Sequence, residues 1–259
     1  MNILVFAPHP DDEVLGCGGV IAKHSENGDN VYVCVATCGH PPIFNDDLMK
    51  EKGWPHTLYP EIKKAHELLG VKETYYLDFP AADIESAKRY TLNGRLIDLI
   101  QQVKPDVVYM PHFGDMQKDH TLLAESIMVA VRPKYKHNVS EVYAYETLSE
   151  TEWNIPHASN CFIPNVYEDI SVFLDKKLKA MNCFQSQLGA FPDPRSLEAV
   201  EALAKLRGST MKAFAAEAFM LVRKYGWGGV VFGFNWRVKS LKLGCATFYS
   251  PAAERRVAA

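Results

Sequence analysis

Residues 3–19 read ILVFAPHPDDEVLGCGG, and this stretch decides how the chain begins to fold. The apolar run at 3–6 is short and ends close to a proline, which predicts a buried strand at 2–6. Residues 14–23 are apolar at helical spacing, which predicts the first helix. Between the two elements lie His9, Asp11, Asp12 and Glu13. An imidazole and three carboxylates at the end of a strand coordinate an ion, cap the helix or take part in chemistry.

A second apolar run at 31–36 is rich in valine and follows a turn at 27–30. Asparagine, glycine and aspartate tolerate the backbone of such a turn at little cost. Strand, helix and strand with short connections form a βαβ unit, which implies a parallel sheet with a right-handed crossover.

The same alternation continues to about residue 147. Strands are predicted at 74–77, 107–110 and 142–145, and helices at 61–69, 92–103 and 122–131. After residue 147 we predict a short strand at 166–167 and helices at 172–184 and 197–219, the last helix with a break at Gly208. We therefore predict an α/β fold with a Rossmann-like, mostly parallel sheet flanked by helices and a mainly helical C-terminal part. Residues 1–225 are predicted to form one domain, and 226–259 a tail to which no structure is assigned.

Composition excludes several classes of partner. The chain has 259 residues, and its 47% hydrophobic and 23% charged residues are ordinary for a globular protein. A net charge of -3 gives no sign of a nucleic-acid or acidic-membrane partner. No apolar run approaches the ~20 residues that span a bilayer, and the N-terminus lacks the basic region of a signal peptide. The six cysteines form no Cys-x-x-Cys pair, so we interpret them as reduced thiols and predict a cytoplasmic protein.

Polar residues concentrate where the predicted strands end, which is where open α/β sheets bind their ligands. They are His9, Asp11, Asp12 and Glu13 after the first strand, Cys38, Gly39 and His40 after the second, His112, Asp115, Asp119 and His120 after the fourth, and Tyr145 and Glu146 at the fifth. The sequence therefore predicts a ligand site at this edge. The segment 39–60 has no clear period and is predicted to be a lid or binding loop.

A catalytic zinc site needs three nitrogen or oxygen ligands and one open position. His9 and Asp12, in a His-x-x-Asp loop, can turn towards one ion, and His120 can supply the third ligand. Asp11 is then free beside the ion, where it can take a proton from the attacking water.

A structural interpretation of the same stretch is capping, since proline and carboxylates suit a helix N-terminus. Capping does not account for His9, and one helix end hardly needs three acids. Residues 16–19 lack the Gly-x-Gly-x-x-Gly spacing of a dinucleotide loop, and the preceding acids would repel a pyrophosphate. Solitary histidines such as His24, His66 and His137 are interpreted as surface or core residues.

The stretch APHPDDE at 7–13, followed by GCGG at 16–19, resembles the PIG-L/LmbE-type zinc-dependent de-N-acetylases. Further matching blocks lie at 65–71, 77–80, 105–108, 145–147, 164–165, 169–170, 186–187, 194–196, 207–208 and 216–219. The resemblance covers about residues 2–224, and the ordered set of blocks is more specific than the first motif alone. It implies that His9, Asp12 and His120 bind zinc, or another divalent ion, and that Asp11 is the general base.

The resemblance also marks one departure, at Gln117. Residues 115–120 match the family's second metal motif, Asp-x-His-x-Asp-His, with glutamine in place of the middle histidine. Glutamine can donate a hydrogen bond but cannot deliver a proton. Either Asp11 then serves as both base and acid, or the substrate chemistry differs. Asp11, Gln117 and Asp119 are the predicted catalytic residues.

Arg195 matches an arginine that lies near the substrate in relatives, and its fork of donors suits a sugar hydroxyl, a phosphate or a carboxylate. A structural ion pair is the alternative for this residue. His40, His112 and Asp115 complete the predicted substrate-binding group.

The resemblance implies a metal-dependent hydrolase that removes an acetyl group from an N-acetylated sugar or sugar conjugate, similar to N-acetylglucosamine. The alternatives are a hydrolase of another acyl or carbamoyl group in natural-product metabolism and a non-catalytic sugar-binding relative. Family analogy also implies a homo-oligomer, a trimer or a hexamer.

Overall fold

The computed structural model describes residues 1–37, 39 and 58–226. The strands are β1 (Asn2–Ala7), β2 (Asn30–Thr37), β3 (Glu73–Phe79), β4 (Val107–Pro111), β5 (Glu141–Tyr145), β6 (Val166–Asp169) and β7 (Ala216–Lys224). The α-helices are α1 (Asp12–Glu26), α2 (Tyr59–Leu69), α3 (Arg89–Val103), α4 (Lys118–Ala130), α5 (Leu174–Met181) and α6 (Leu197–Met211). Met1–Gly226 form one compact unit.

These strands form one sheet in the order β3-β2-β1-β4-β5-β7-β6. The strands β1 to β5 are parallel, and β7 runs antiparallel to both β5 and β6. The chain moves outward from β1 to β3 and then returns to place β4 on the other side of β1. The loops after β1 and β4 therefore meet at a switch point, where such sheets bind ligands. The predicted α/β fold is confirmed.

The first strand is buried on both faces, which explains its continuous apolar run. Ile3 and Val5 belong to the core that includes residues of α1, α2, α5 and α6. Leu4 and Phe6 belong to the core that includes residues of α3 and α4. Each face of the sheet is thus covered by helices, as the fold class requires.

The glycines at the start of α1 allow two other elements to approach this helix closely. A Cβ atom on Gly16 would lie 2.2 Å from Cδ2 of Tyr145, and one on Gly19 would lie 2.6 Å from Cδ1 of Ile170. The glycine-rich segment therefore serves packing, in agreement with the argument against a dinucleotide loop.

The C-terminal part differs from the prediction in one element. The predicted helix 197–219 is correct as far as Met211, but residues 216–219 belong to β7. Gly208 does not break α6; it lies inside the helix, where a Cβ would approach the Cα of Ala215 to 2.8 Å. The helix ends at Lys212 instead, which has a left-handed φ of 63°.

Two predicted segments lie mostly outside the described residues, namely the loop 39–60 and the tail 226–259. Within the described part of the chain, no helix is long and apolar enough to cross a membrane.

Candidate metal centre

The loop between β1 and α1 carries the polar residues of the first motif. The carbonyl of Pro8 accepts hydrogen bonds from the backbone N and the Oγ1 of Thr37 at 3.1 and 3.0 Å, which ties the loop to the end of β2. Asp11 precedes α1 with a φ of 98°, a backbone conformation that non-glycine residues rarely adopt. Its side chain makes no capping hydrogen bond. Capping therefore does not explain Asp11.

The three predicted metal ligands come together in space. One ligand atom from each of His9, Asp12 and His120 lies within 4.8 Å of the other two. Nδ1 of His9 and Nε2 of His120 each lie 3.2 Å from Oδ2 of Asp12. Asp12 and His120 are fully buried, whereas 13% of the His9 side chain is exposed. The group is thus buried on one side and accessible on the other.

Each histidine of this group is held by a further carboxylate. Oδ2 of Asp119 lies 3.1 Å from Nε2 of His9, and Oδ2 of Asp115 lies 2.9 Å from Nδ1 of His120. Carboxylates in this position fix the ring orientation of metal-binding histidines. The prediction that Asp115 binds substrate does not fit this position, because its other oxygen accepts a hydrogen bond from Oγ1 of Thr151 at 2.6 Å.

Two polar atoms of the group lack the partners that an ion would supply. Nε2 of His120 and Oδ1 of Asp12 are buried and have no hydrogen-bond partner among the described residues. A buried polar atom without a partner costs about 1–3 kcal/mol. Imidazole nitrogen and carboxylate oxygen are ligands that zinc accepts. His9, Asp12 and His120 therefore fit a divalent ion.

The charges of the group also favour a cation. Burial opposes ionisation of Asp12, but the charge of His120 and the hydrogen bond from His9 hold the pKa of Asp12 well below its usual range. Burial opposes a charge on His120 as well, yet Asp12 and Asp115 raise the pKa of His120 to about 10. Positive charge is thus stabilised at this point of the structure.

Asp11 lies next to the ligand group and pairs with Arg195. Nη1 of Arg195 is 3.2 Å from Oδ2 of Asp11, and its Nε donates a hydrogen bond to Oγ of Ser149 at 2.9 Å. Burial raises the pKa of Asp11 to about 8, while the charge of Arg195 acts in the opposite direction. Arg195 thus forms an ion pair, which was the structural alternative to the predicted role in substrate binding. It also lines a cavity beside His9.

A cavity of about 370 Å³ opens beside His9. Its wall includes the exposed side chains of Met116 and Trp153, of which 49% and 57% are accessible. The polar lining residues include Gln117, Ser149, Glu150, Ser186, Gln187, Asp193 and Arg195. The cavity therefore offers apolar surface and hydrogen-bonding groups to one ligand.

Gln117 and Glu150 meet in the wall of this cavity. The backbone N of Gln117 donates a hydrogen bond to Oε2 of Glu150 at 3.1 Å, and Oε1 of Gln117 is buried without a partner among the described residues. Sequence reasoning missed Glu150. The available signal was the run of acids Glu146, Glu150 and Glu152 after the fifth strand, at the edge where ligands bind.

The remaining predicted residues lie elsewhere. His112 is fully buried, its Nε2 lies 3.0 Å from the carbonyl oxygen of Asn160, and it does not line the cavity. It therefore does not fit the predicted role in substrate binding. His40 lies outside the described residues. Glu13 pairs with His66 at 2.9 Å, so His66 is a buried core residue, as predicted.

Fold and site together define a Rossmann-like α/β protein with a candidate metal centre at the switch point of its sheet. The family model described as PIG-L: GlcNAc-PI de-N-acetylase matches residues 4–131. Residues 4–131 therefore carry a PIG-L family domain, as the resemblance of the motifs predicts.

Two curated relatives and one solved structure illustrate the similarity. The chain is 26% identical over 193 residues to the probable N-acetyl-alpha-D-glucosaminyl L-malate deacetylase 2 of Bacillus cereus, covering 73% of this chain and 84% of that protein. It is 27% identical over 202 residues to the diacetylchitobiose deacetylase of Thermococcus kodakarensis, covering 74% of this chain and 71% of that protein. The crystal structure of GalB, the 4-carboxy-2-hydroxymuconate hydratase of Pseudomonas putida KT2440, aligns with a TM-score of 0.65 at 22% identity over 88% of this chain and 99% of that one. That last similarity shows a shared fold.

Proposed function

We propose that this chain is a metal-dependent hydrolase that removes the acetyl group from an N-acetylated sugar or sugar conjugate of the N-acetylglucosamine type. The observation that carries the proposal is the buried His9–Asp12–His120 group, which lies beside Asp11 and a cavity. The comparisons support it through the family match and through two relatives, one named as a probable N-acetyl-alpha-D-glucosaminyl L-malate deacetylase and one as a diacetylchitobiose deacetylase. The cytoplasmic setting and the homo-oligomer remain predictions.

Zinc, or another divalent ion, bound by these three residues would polarise an amide carbonyl and lower the pKa of a water molecule. Asp11 takes a proton from the water as its oxygen attacks the acetyl carbon. Arg195 holds Asp11 in place through their 3.2 Å contact. Gln117 donates a hydrogen bond to the oxygen that becomes negative, and Asp119 keeps His9 oriented.

The cavity suits a sugar because it combines an aromatic side chain with polar groups. Trp153 presents an exposed indole at the wall, against which the apolar face of a pyranose ring can pack. Ser186, Gln187 and Asp193 offer hydrogen-bond donors and acceptors for hydroxyl groups.

Acetate release from a panel of N-acetylated sugars, with zinc-loaded protein, tests the proposal. We expect acetate from at least one N-acetylglucosamine conjugate. Asp11→Asn should lower kcat at least about 100-fold with unchanged metal content, whereas His120→Ala should lose the metal. Absence of acetate release by the unaltered protein contradicts the proposal, and an Asp11→Asn variant with most of its activity contradicts the role of the base.

The same panel separates the alternatives when it includes other acyl and carbamoyl amides. Release of another acyl group without acetate indicates a different hydrolase. Sugar binding without turnover indicates a non-catalytic relative.

A further inference from the structure

The proposed reaction requires a proton donor, and the sequence offered only Asp11, the base, for this second role. When the amide C–N bond breaks, the nitrogen leaves as an amine and must take up a proton. Gln117 cannot supply it, because an amide does not release a proton at neutral pH. Asp115 and Asp119 are engaged with the histidines. The inference below rests on the proposed function and completes its proton transfers.

Glu150 is a carboxyl group in the cavity wall to which the mechanism so far gives no role. It lies in the turn that follows β5, and only 7% of its surface is exposed. Oε2 accepts a hydrogen bond from the backbone N of Gln117 at 3.1 Å, and its carbonyl oxygen accepts one from the backbone N of Met116 at 3.1 Å. Its own backbone N donates to the carbonyl of Thr147 at 3.2 Å. The carboxyl group is therefore held in one position in the wall.

Arg195 links Glu150 to the candidate metal centre. Nη2 of Arg195 lies 3.9 Å from Oε1 of Glu150 and 4.0 Å from Oδ1 of Asp12. Its Nη1 contacts Asp11 at 3.2 Å. One guanidinium group thus stands between Glu150 and the two acids of the first motif. Asp11 and Glu150 thus face different terminal nitrogens of the same guanidinium group.

The surroundings of Glu150 favour its protonated form through burial. Burial is the largest influence and raises the pKa of Glu150, and Asp12 acts in the same direction. The facing cations, His120, Arg195 and His9, act in the opposite direction. A buried carboxyl group with a raised pKa is suited to general acid catalysis. Among the described residues, the other acid that lines the cavity is Asp193, which is exposed and accepts a hydrogen bond from the backbone N of Arg195 at 2.8 Å.

We propose that Glu150 is the general acid that protonates the leaving nitrogen. As the C–N bond breaks, its electron pair takes the proton from the Glu150 carboxyl group, and the nitrogen departs as a neutral amine. The oxygen of the water remains on the acyl carbon, which leaves as acetic acid. The proton that Asp11 took from the water then passes to Glu150, and both groups return to their starting states.

The test compares Glu150→Gln with Glu152→Gln. Glu152 lies in the same turn, and its Oε1 accepts a hydrogen bond from the backbone N of Ser149 at 2.6 Å, but it lines other cavities. With the N-acetylated sugar that the unaltered protein hydrolyses, Glu150→Gln should lower kcat about 100-fold or more. KM and metal content should stay near their starting values, whereas Glu152→Gln should keep its activity. Glu150→Asp should restore part of the lost rate.

The pH profile distinguishes an acid from a structural residue. In the unaltered protein, kcat/KM should fall as the pH rises through the pKa of Glu150, and this fall should be absent from the residual activity of Glu150→Gln. Three results overturn the inference: a Glu150→Gln rate within about threefold of the starting rate, loss of metal from this variant, or an unchanged fall with rising pH. An unaltered protein that releases no acetate overturns the proposed function, and the role of Glu150 with it.

Discussion

Oδ2 of Asp119 lies 3.1 Å from Nε2 of His9, although the two residues are 110 positions apart in the chain. The backbone N atoms of Ala82 and Ile84 donate hydrogen bonds to the two oxygens of Asp119 at 2.8 and 3.0 Å. The loop after β3 therefore fixes the carboxylate, and the carboxylate fixes the imidazole. This arrangement makes Asp119 a positioning residue for the candidate metal centre.

Asp119→Asn should weaken zinc binding about 10- to 100-fold, because the amide cannot hold the imidazole of His9 as the carboxylate does. Competition with a fluorescent zinc chelator measures this change. Asp193→Asn is the matched control. Asp193 lines the cavity beside His9, but among the described residues its side chain accepts a hydrogen bond from the backbone N of Arg195 and none from a histidine. Equal zinc affinity of Asp119→Asn and the unaltered protein would show that this contact does not support the site.

Much of the candidate metal centre was predictable because its parts are local in sequence. His9 and Asp12 share one loop, and the backbone N of His9 donates to Oδ2 of Asp12 at 2.8 Å. Asp115 lies just before α4 and His120 lies in its first turn, so strand order alone brings them to the first loop. Glu150 could not be predicted in the same way. Its position depends on how the turn after β5 folds against Gln117, and no periodic pattern records that contact.

Gly16 and Gly94 form a matched pair for testing helix packing. A Cβ on Gly16 would lie 2.2 Å from the ring of Tyr145, which is fully buried and donates a hydrogen bond to the carbonyl of Phe6 at 2.7 Å. Gly16→Ala should therefore destabilise the fold by about 1–3 kcal/mol or more. Gly94 lies in α3 with nothing within 4 Å of its added Cβ, so Gly94→Ala should stabilise by about 0.5–1 kcal/mol.

Urea unfolding of both variants and the unaltered protein at one pH measures the two changes in the free energy of unfolding. Opposite signs are the expected result. If Gly16→Ala were as stable as the unaltered protein, the packing role assigned to the glycine-rich segment would be incorrect.

Lys177 and Glu217 form a buried ion pair that also binds the backbone of α1. Nζ of Lys177 lies 2.6 Å from Oε1 of Glu217 and donates to the carbonyl of Leu15 at 2.7 Å. The backbone N atoms of Gly19 and Val20 donate to Glu217, each at 2.8 Å. Lys177→Met leaves the Glu217 carboxylate buried without its cation, which should cost about 3–5 kcal/mol.

The double variant Lys177→Met with Glu217→Gln should be more stable than Lys177→Met alone, because the uncompensated charge is gone while an oxygen remains for the α1 backbone. Chemical denaturation of the two single variants and the double variant gives the coupling energy. Additive costs, with the double variant the least stable, would argue against a direct ion pair.

This pair also shows why the C-terminal prediction failed. Residues 216–221 read AEAFML, and alanine, glutamate, methionine and leucine all favour helices. The segment nevertheless pairs with β5 and β6 as a strand, and Glu217 reaches α1 from β7. Tertiary pairing outweighs local propensity here, since each strand neighbour comes from a distant part of the chain.

Glu141 and Lys224 are cross-strand neighbours on β5 and β7, and Nζ of Lys224 lies 2.8 Å from Oε1 of Glu141. Hydrogen bonds from Lys224 and Tyr143 hold the pKa of Glu141 below its usual range. The folded state therefore favours the carboxylate, so the pair stabilises the protein above the unfolded pKa of about 4.3. That contribution is lost as the pH falls through the lower, folded pKa.

Because Lys224 is largely exposed, we expect the ion pair to contribute only about 0.2–1 kcal/mol to the free energy of unfolding. Urea unfolding should show Glu141→Gln less stable than the unaltered protein at about pH 7 and equally stable at about pH 2. An equal difference at both values would assign the effect to packing of the side chain instead of its charge.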